Sequence, residues 1–379
     1  MVTVRDRRPL RVLHVLATFG TGGTEQGIIN LINHSDPDRV RHGVVSFVAT
    51  HDAESLARVK DPDFFYRPLH KGFGNDPRVV FRLRRALKDG RFDIVHSHGW
   101  PTYLETRMAV IARRGLGVIH GEHGTFHLER GRRRRAFSLL SGGFDRFLFV
   151  SERLRAKFEL HTRIPPEKMQ VIENGVDFDR FANGPSLREQ SPEFDDGLVH
   201  VGTTGRFHPV KGHQILLDLA RRAKQEGLPL KVHFAGDGEL RPEYERFVSE
   251  HGLQEHVILH GTLRHTESFY RALDLFVLAS ESEGHPNAVL EAIASRCPVA
   301  ATPVGDLPDF VRQGQNGFLF EHGDLEALLA VVLRRVGDPA EFERIAATAY
   351  EEALQRFSLG RMVEDYTSVY ERLCDRERP

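Results

Sequence analysis

Cysteine is nearly missing from this chain: Cys297 and Cys374 are the only two among 379 residues. Two are too few for a disulfide framework or a cysteine-based metal centre, and their scarcity points to a reducing compartment, the cytoplasm. Charge of one sign is lacking as well. Lys and Arg total 52 against 53 Asp and Glu, a formal net charge of -1, so no whole-molecule field attracts nucleic acid and only local patches could act. Long apolar runs are absent too. The stretch Val12–Ala17, after the charged Met1–Pro9, is too short for a signal-peptide core, and nothing approaches the roughly 20 residues needed to cross a bilayer. The expectation is a cytoplasmic chain, soluble or peripheral at the inner face of a membrane. No low-complexity tract and no repeat of solenoid period stands out.

What is present is ordinary globular material, 40% hydrophobic and 28% charged, in a chain longer than the roughly 250–300 residues at which one core stops growing. Two domains are expected. Short β-branched or aromatic runs, each followed by a turn and a longer helical pattern, predict βαβ units and parallel sheets. The first half offers strands at Arg11–Ala17, His42–Val48, Phe92–His96, Gly117–Gly121, Phe144–Val150 and Met169–Ile172, with helices beginning near Thr24, Asp76, Pro101, Arg132 and Ser151. The second offers strands at Leu198–Thr203, Lys231–Ala235, His256–His260, Leu275–Leu278 and Pro298–Ala301, with helices beginning near Val210, Leu240, Thr266 and Pro286. The expected boundaries are a first domain over 1–182, a Pro-, Ser- and acid-rich linker over 183–197, a second domain over 198–357, and a last helix from Ser358 over 358–379. Open α/β sheets bind ligands beyond their strand carboxyl ends, so two facing sheets would share a cleft there.

The densest cluster of candidate residues is Glu283-Gly284-His285-Pro286-Asn287-Ala288-Val289-Leu290-Glu291. Pro286 suits the first turn of a helix, which sets Glu283 in the loop before it and Glu291 on the helix. The free N–H groups of that helix start suit a diphosphate or sugar hydroxyls. Each carboxylate can accept from vicinal hydroxyls, Glu283 from a sugar and Glu291 from a ribose. Taken alone, two Glu at this spacing are more often a solvated helix face. The wider sequence adds Pro298-Val299-Ala300-Ala301-Thr302, Val304-Gly305, Asn316-Gly317-Phe318-Leu319, Asn174-Gly175-Val176-Asp177, Gly205-Arg206-Phe207 with Lys211-Gly212, and Gly236-Asp237-Gly238. With these motifs in this order, nearly the whole chain resembles glycosyltransferase family 4, the retaining GT-B enzymes.

The resemblance implies a GT-B fold of two Rossmann-like domains, with a C-terminal helix crossing back to the first. It implies transfer of a sugar from a nucleotide diphosphate sugar to a glycan, lipid-linked or small-molecule acceptor, without a metal or other cofactor. Arg206 and Lys211 would stabilise the departing diphosphate, one as a planar fork and the other as a point charge. Gly284, His285, Pro286 and Asn287 would line the donor beside Glu283 and Glu291. The loop with Gly22 and Gly23, which fails the dinucleotide pattern because Glu25 stands at its last glycine, would border donor phosphates and acceptor. His123 would touch the donor sugar near the reacting centre, and His98 would line the acceptor side. Plain readings compete at each: surface cations, a tight turn, a structural histidine.

His96 and His98 form a close pair, but no third or fourth ligand appears at a supporting spacing. The Asp-x-Asp tripeptides at Asp36, Asp61 and Asp177 are common by chance, and no metal site is expected. The basic run Arg130-Gly131-Arg132-Arg133-Arg134-Arg135 could meet an anionic membrane, at about 1 kcal/mol per basic residue, or be a solvated helix start. Ala279, Arg296, Asp306 and Asp309 depart from the usual family pattern without removing a proposed ligand. Thr21-Gly22-Gly23-Thr24-Glu25, Leu69-His70-Lys71 and Ile119–Gly124 resemble the sugar transferases associated with exopolysaccharide loci. Two other readings use the same residues: a GT-B sugar-nucleotide epimerase, and a nucleotide-sugar-binding partner subunit without turnover.

Overall fold

The computed structural model describes residues 8–375 apart from 21, 50, 51, 73–75, 112, 114, 125–130, 192, 193, 195 and 196. The chain divides into two compact units, Met1–Gly175 with Leu359–Pro379, and Val176–Ser358.

The first unit holds β1 (Leu10–Thr18), α1 (Gly23–His34), β2 (Val40–Val48), α2 (Asp52–Leu56), β3 (Phe65–Pro68), α3 (Arg78–Asp89), β4 (Ile94–His98), α4 (Trp100–Val110), β5 (Gly117–Glu122), α5 (Gly131–Leu140), β6 (Arg146–Phe149), α6 (Glu152–His161) and β7 (Met169–Val171). Its strands form one parallel sheet in the order β3-β2-β1-β4-β5-β6-β7. Because helices cover both faces, the central strands read as nearly continuous apolar runs. Val12, Leu13 and Val15 of β1 are fully buried. One face packs Tyr103, Phe137, Phe144 and Phe147 into an aromatic layer, the Tyr103 and Phe137 rings stacked at 4.2 Å.

The second unit holds α7 (Phe178–Ala182), β8 (Val199–Thr204), α8 (Gln214–Glu226), β9 (Leu230–Ala235), α9 (Arg241–Glu250), β10 (Val257–Gly261), α10 (Thr266–Tyr270), β11 (Leu275–Leu278), α11 (Asn287–Ala294), β12 (Val299–Ala301), α12 (Leu307–Phe310), β13 (Phe318–Leu319), α13 (Leu325–Gly337) and α14 (Pro339–Phe357). Its sheet is again all parallel, β10-β9-β8-β11-β12-β13. The chain then returns to the first unit as α15 (Leu359–Asp375). Met362, Val363, Tyr366 and Tyr370 of α15 pack with Val12, Ile94 and Ile119 of the first sheet, and Arg39 engages Glu364 and Glu371.

The observed division differs from the expected one at its first boundary. Residues 176–197 belong to the second unit because Phe178, Phe181 and Phe194 are buried in its core with Phe269 and Tyr270. Arg271 also donates to the carbonyls of Phe181 and Pro185. Phe178 and Phe181 thus move residues 176–182 from the expected first domain into the second unit, and buried Phe194 ties the stretch expected as a linker, 183–197, to the same core.

In each sheet the order reverses between the first strand and the strand to its right, β1/β4 and β8/β11. Loops leaving two such strands diverge and open a crevice beyond their carboxyl ends. Gly22 and Gly23 follow β1, His98 ends β4, Arg206 and Lys211 follow β8, and Glu283 to Asn287 follow β11, whereas Glu291 lies on α11 and His123 follows the neighbouring β5.

Candidate functional site

In the second unit, the loop after β8 carries Arg206 and runs into the single turn Pro209–Lys211, while the loop after β11 carries Ser280 and Glu283. A backbone bond from Glu281 N to Val210 O, 2.8 Å, ties the two loops together. Lys211 Nζ donates to Glu283 Oε1 at 2.7 Å, and Ser280 Oγ donates to the same oxygen at 2.7 Å. Both bonds fall on one oxygen. Among the described residues none is bonded to Glu283 Oε2, so a carboxylate fixed in place keeps acceptor capacity for a ligand hydroxyl. Arg206 is exposed and makes no ion pair with a described residue.

Glu291 lies on α11 and accepts from the Tyr270 hydroxyl at 3.0 Å, which also meets Thr204 Oγ1 at 2.7 Å. Burial, and then the neighbouring Glu291, push the Tyr270 phenol far above its ordinary value, so it stays a neutral donor. Pro286 occupies the residue before the helix and not its first turn, with φ -82° and ψ 81°; α11 begins at Asn287. The imidazole of His285 is turned inward, 1% exposed, with Nδ1 2.5 Å from Asp306 Oδ2, so what this residue presents outward is its main chain. That contact also accounts for Asp306, a departure from the usual pattern: it partners His285. Arg296, another departure, has φ 58° and stacks its guanidinium 3.8 Å from the Tyr350 ring centroid. Left-handed backbone explains why glycine is common there.

Sequence profiles match both halves: one described as Glycosyltransferase Family 4 over residues 21–180, and one described as Glycosyl transferases group 1 over 199–338. The chain is 31% identical over 315 residues to the putative glycosyltransferase EpsF of Bacillus subtilis, covering 76% of this chain and 78% of that one. It belongs to glycosyltransferase family 4. It is also 25% identical to the Escherichia coli UDP-Gal:alpha-D-GlcNAc-diphosphoundecaprenol alpha-1,3-galactosyltransferase, over 78% of this chain and 79% of that enzyme. Among solved structures, HepE of Anabaena in complex with UDP and glucose superposes with a TM-score of 0.83 at 20% identity, over 96% of this chain and 100% of that one, which establishes the GT-B fold. The protein is an enzyme of glycosyl transfer, and nothing in these likenesses favours the epimerase or the inactive partner.

In the first unit of this glycosyltransferase, Gly22 precedes α1 and Gly23 opens it, with no side chain capping the helix start. The Glu25 carboxylate folds over Gly22, where a Cβ would come within 2.5 Å of Oε2, and accepts from Thr18 Oγ1 at 3.2 Å. His98 ends β4, and its Nδ1 lies 3.1 Å from His123 Nε2, just past β5. Burial lowers His123 to about 4 and His98 well below its ordinary value, so both are neutral imidazoles near pH 7. The pair is part of a larger cluster that sequence spacing concealed. His14 Nδ1 lies 3.0 Å from His98 Nε2, His14 Nε2 lies 3.0 Å from His42 Nδ1, and His96 Nδ1 lies 3.0 Å from the Tyr370 hydroxyl.

Tyr270, Thr204 and Ser280 are not singled out by the sequence, and Asp306 stands out there only as a departure, without its partner His285. Tyr270 and Thr204 are reached through packing alone; Ser280, three residues before Glu283, is open to a local reading.

Proposed function

We propose that this family 4 glycosyltransferase moves a sugar from a uridine-type nucleoside diphosphate donor to a hydroxyl of a growing glycan, lipid-linked or small-molecule acceptor, with retention at the anomeric carbon, in exopolysaccharide or related glycoconjugate assembly. The observation that carries this is the Lys211–Glu283–Ser280 arrangement beside exposed Arg206 at the β8/β11 reversal. Two cations and an anchored carboxylate at a strand-order reversal suit a diphosphate and its sugar, which supports this reading. The uridine base is supported by the donor named for the Escherichia coli relative and by the UDP bound in HepE.

In the proposed reaction the C1–O bond to the diphosphate breaks as the acceptor oxygen bonds to C1 from the same face. The departing diphosphate takes the acceptor's proton, and Arg206, Lys211 and the start of α11 offset its growing negative charge. Glu283 orients the sugar, while Glu291, steadied by Tyr270, holds the ribose. His98 lines the acceptor side. No metal is assigned to this step.

The test is thermal unfolding against UDP, GDP, ADP and their sugar conjugates, followed by turnover without added divalent cation. A ligand at 100 times its Kd adds about 2.7 kcal/mol of stability, so UDP and one UDP-sugar are expected to raise Tm by several degrees in the native protein and not in Glu291→Ala. Release of UDP should require an acceptor. Isomerised donor without acceptor would mean epimerase chemistry, and no shift with any nucleotide would sink the donor-site assignment.

Peripheral membrane contact is a second part of the proposal. Arg132, Arg134 and Arg135 of α5 are exposed, and Leu139 on the same helix is 81% exposed; Arg130 lies outside the described residues. No described helix is long and apolar enough to cross a membrane. At about 1 kcal/mol per basic residue near an anionic surface, Arg132→Glu with Arg135→Glu should lower binding to phosphatidylglycerol vesicles by at least roughly tenfold, read by co-sedimentation at low salt. Equal binding by the double variant and the native chain would remove α5 from any membrane role.

A further inference from the structure

We propose that His14, His96 and His98 form a buried metal site in the first unit, selective for a zinc-class divalent ion, with His14 Nδ1, His96 Nε2 and His98 Nε2 as ligands. His14 on β1 and His96 on β4 are direct register partners, and His98, two residues further along β4, shares their face of the sheet. One nitrogen from each of the three lies within 4.8 Å of the others. His14 Nδ1 and His98 Nε2 are already 3.0 Å apart, near the separation of about 3.3 Å expected for two nitrogens bound at about 2.0–2.1 Å on a tetrahedral ion.

The hydrogen-bond directions support the assignment. Ser35 Oγ donates to the carbonyl of Leu31 at 2.7 Å, so its oxygen is an acceptor for His42 Nε2 at 2.9 Å. His42 then offers a lone pair at Nδ1, and His14 must donate to it from Nε2. A neutral imidazole carries one proton, so His14 Nδ1 is a lone pair facing His98. Ligating histidines bind metal through one nitrogen and hydrogen-bond through the other. Each of the three has that outer partner: His42 for His14, Tyr370 for His96 and His123 for His98.

A chain of hydrogen-bonded imidazoles would explain the His14–His98 contact equally well. It leaves out His96 Nε2, which is buried without a hydrogen-bond partner among the described residues, a costly arrangement that a bound ion relieves. Gly121 opposite is required by the same geometry, since a Cβ there would come 2.9 Å from His96 Nε2 and 3.2 Å from His98 Nδ1. Three neutral imidazoles with no thiolate or carboxylate suit zinc and its first-row neighbours, and not calcium or magnesium. The three residues are 0, 0 and 6% exposed, so the ion would cross-link β1 and β4 at the sheet's reversal point without itself touching donor or acceptor. It would also hold His98 protonated on Nδ1, and so set the orientation of His123.

Metal analysis of the untagged full-length protein after dialysis against metal-free buffer tests this without donor or acceptor. About one zinc per chain is expected, because burial of the site makes release slow, together with new visible absorption bands on cobalt replacement. His14→Ala and Gly121→Ala should lose the ion. Should either variant fold poorly, nitrogen NMR of histidine in the native chain decides independently: His14 protonated on Nε2 and His98 on Nδ1 is expected. A metal-free protein whose Tm does not move with zinc, cobalt or nickel, or His98 protonated on Nε2, would overturn the proposal in favour of the imidazole chain. Zinc retained by His14→Ala would overturn it by placing the ion elsewhere.

Discussion

Replacing Lys211 with alanine is expected to lower kcat/KM by roughly two to three orders of magnitude, the range seen when one preorganised stabiliser of developing negative charge is removed. The ammonium serves twice in this arrangement. It would neutralise charge on the departing diphosphate, and it holds Glu283 at 2.7 Å with Ser280 on the same carboxylate oxygen. The ion pair itself contributes little to folding: the two side chains are 26% and 16% exposed, and a partly solvated pair is worth at most about 1 kcal/mol. The expected signature is therefore a large kinetic loss with a Tm nearly unchanged. Lys211→Arg should recover only part of the rate, because a planar fork cannot reproduce a compact charge at that distance. Glu283→Gln measures the other half of the pair. If the two residues act as a unit, the double variant will be far less impaired than the product of the single losses. Activity of Lys211→Ala within tenfold of the native enzyme would show that the donor's charge is handled elsewhere.

Much of this was legible in the sequence, and the exceptions share causes. The buried central strands stood out because parallel strands covered on both faces are continuous apolar runs. The two strands not predicted lie at sheet edges. β3 is four residues of half-buried character ending in Pro68, and β13 is only Phe318–Leu319, too short for any periodicity to show. Lys211 and Glu283 could be nominated because each sits in a recognisable motif, but their mutual contact depends on the β8/β11 pairing of Leu275 with Val201 and Phe276 with Gly202. The histidine cluster is the clearest case of information that is not local. His14 and His96 are far apart in the chain, and only strand register brings them side by side. A search for ligand spacing within one segment could find His96 and His98 and nothing to complete them.

The second large effect is structural and falls on the loop that carries Lys211. Gly212 has φ 61° and ψ 24°, and a Cβ there would lie 2.2 Å from the carbonyl oxygen of Ala279 and 2.9 Å from His322 Cε1. That carbonyl is held in place, since it also accepts from His322 Nδ1 at 3.0 Å. Gly212→Ala therefore combines left-handed strain of about 1–2 kcal/mol with overlap against fixed backbone of about 1–3 kcal/mol. A total near 3 kcal/mol corresponds to a fall in Tm of about 6–12 °C for a unit of roughly 150–250 residues. Gly227→Ala separates the two contributions. Its φ of 66° imposes similar strain at the end of α8, but a Cβ there meets nothing within 4 Å, so it should cost only the first term. The collision in Gly212→Ala can be relieved only by moving the loop away from β11. The Lys211–Glu283 bond would lengthen with it, and the folded fraction should show reduced kcat/KM, which Gly227→Ala should not. Equal Tm losses in the two variants, with normal activity in both, would mean that the close approach of this loop to the end of β11 does not set the donor-side geometry.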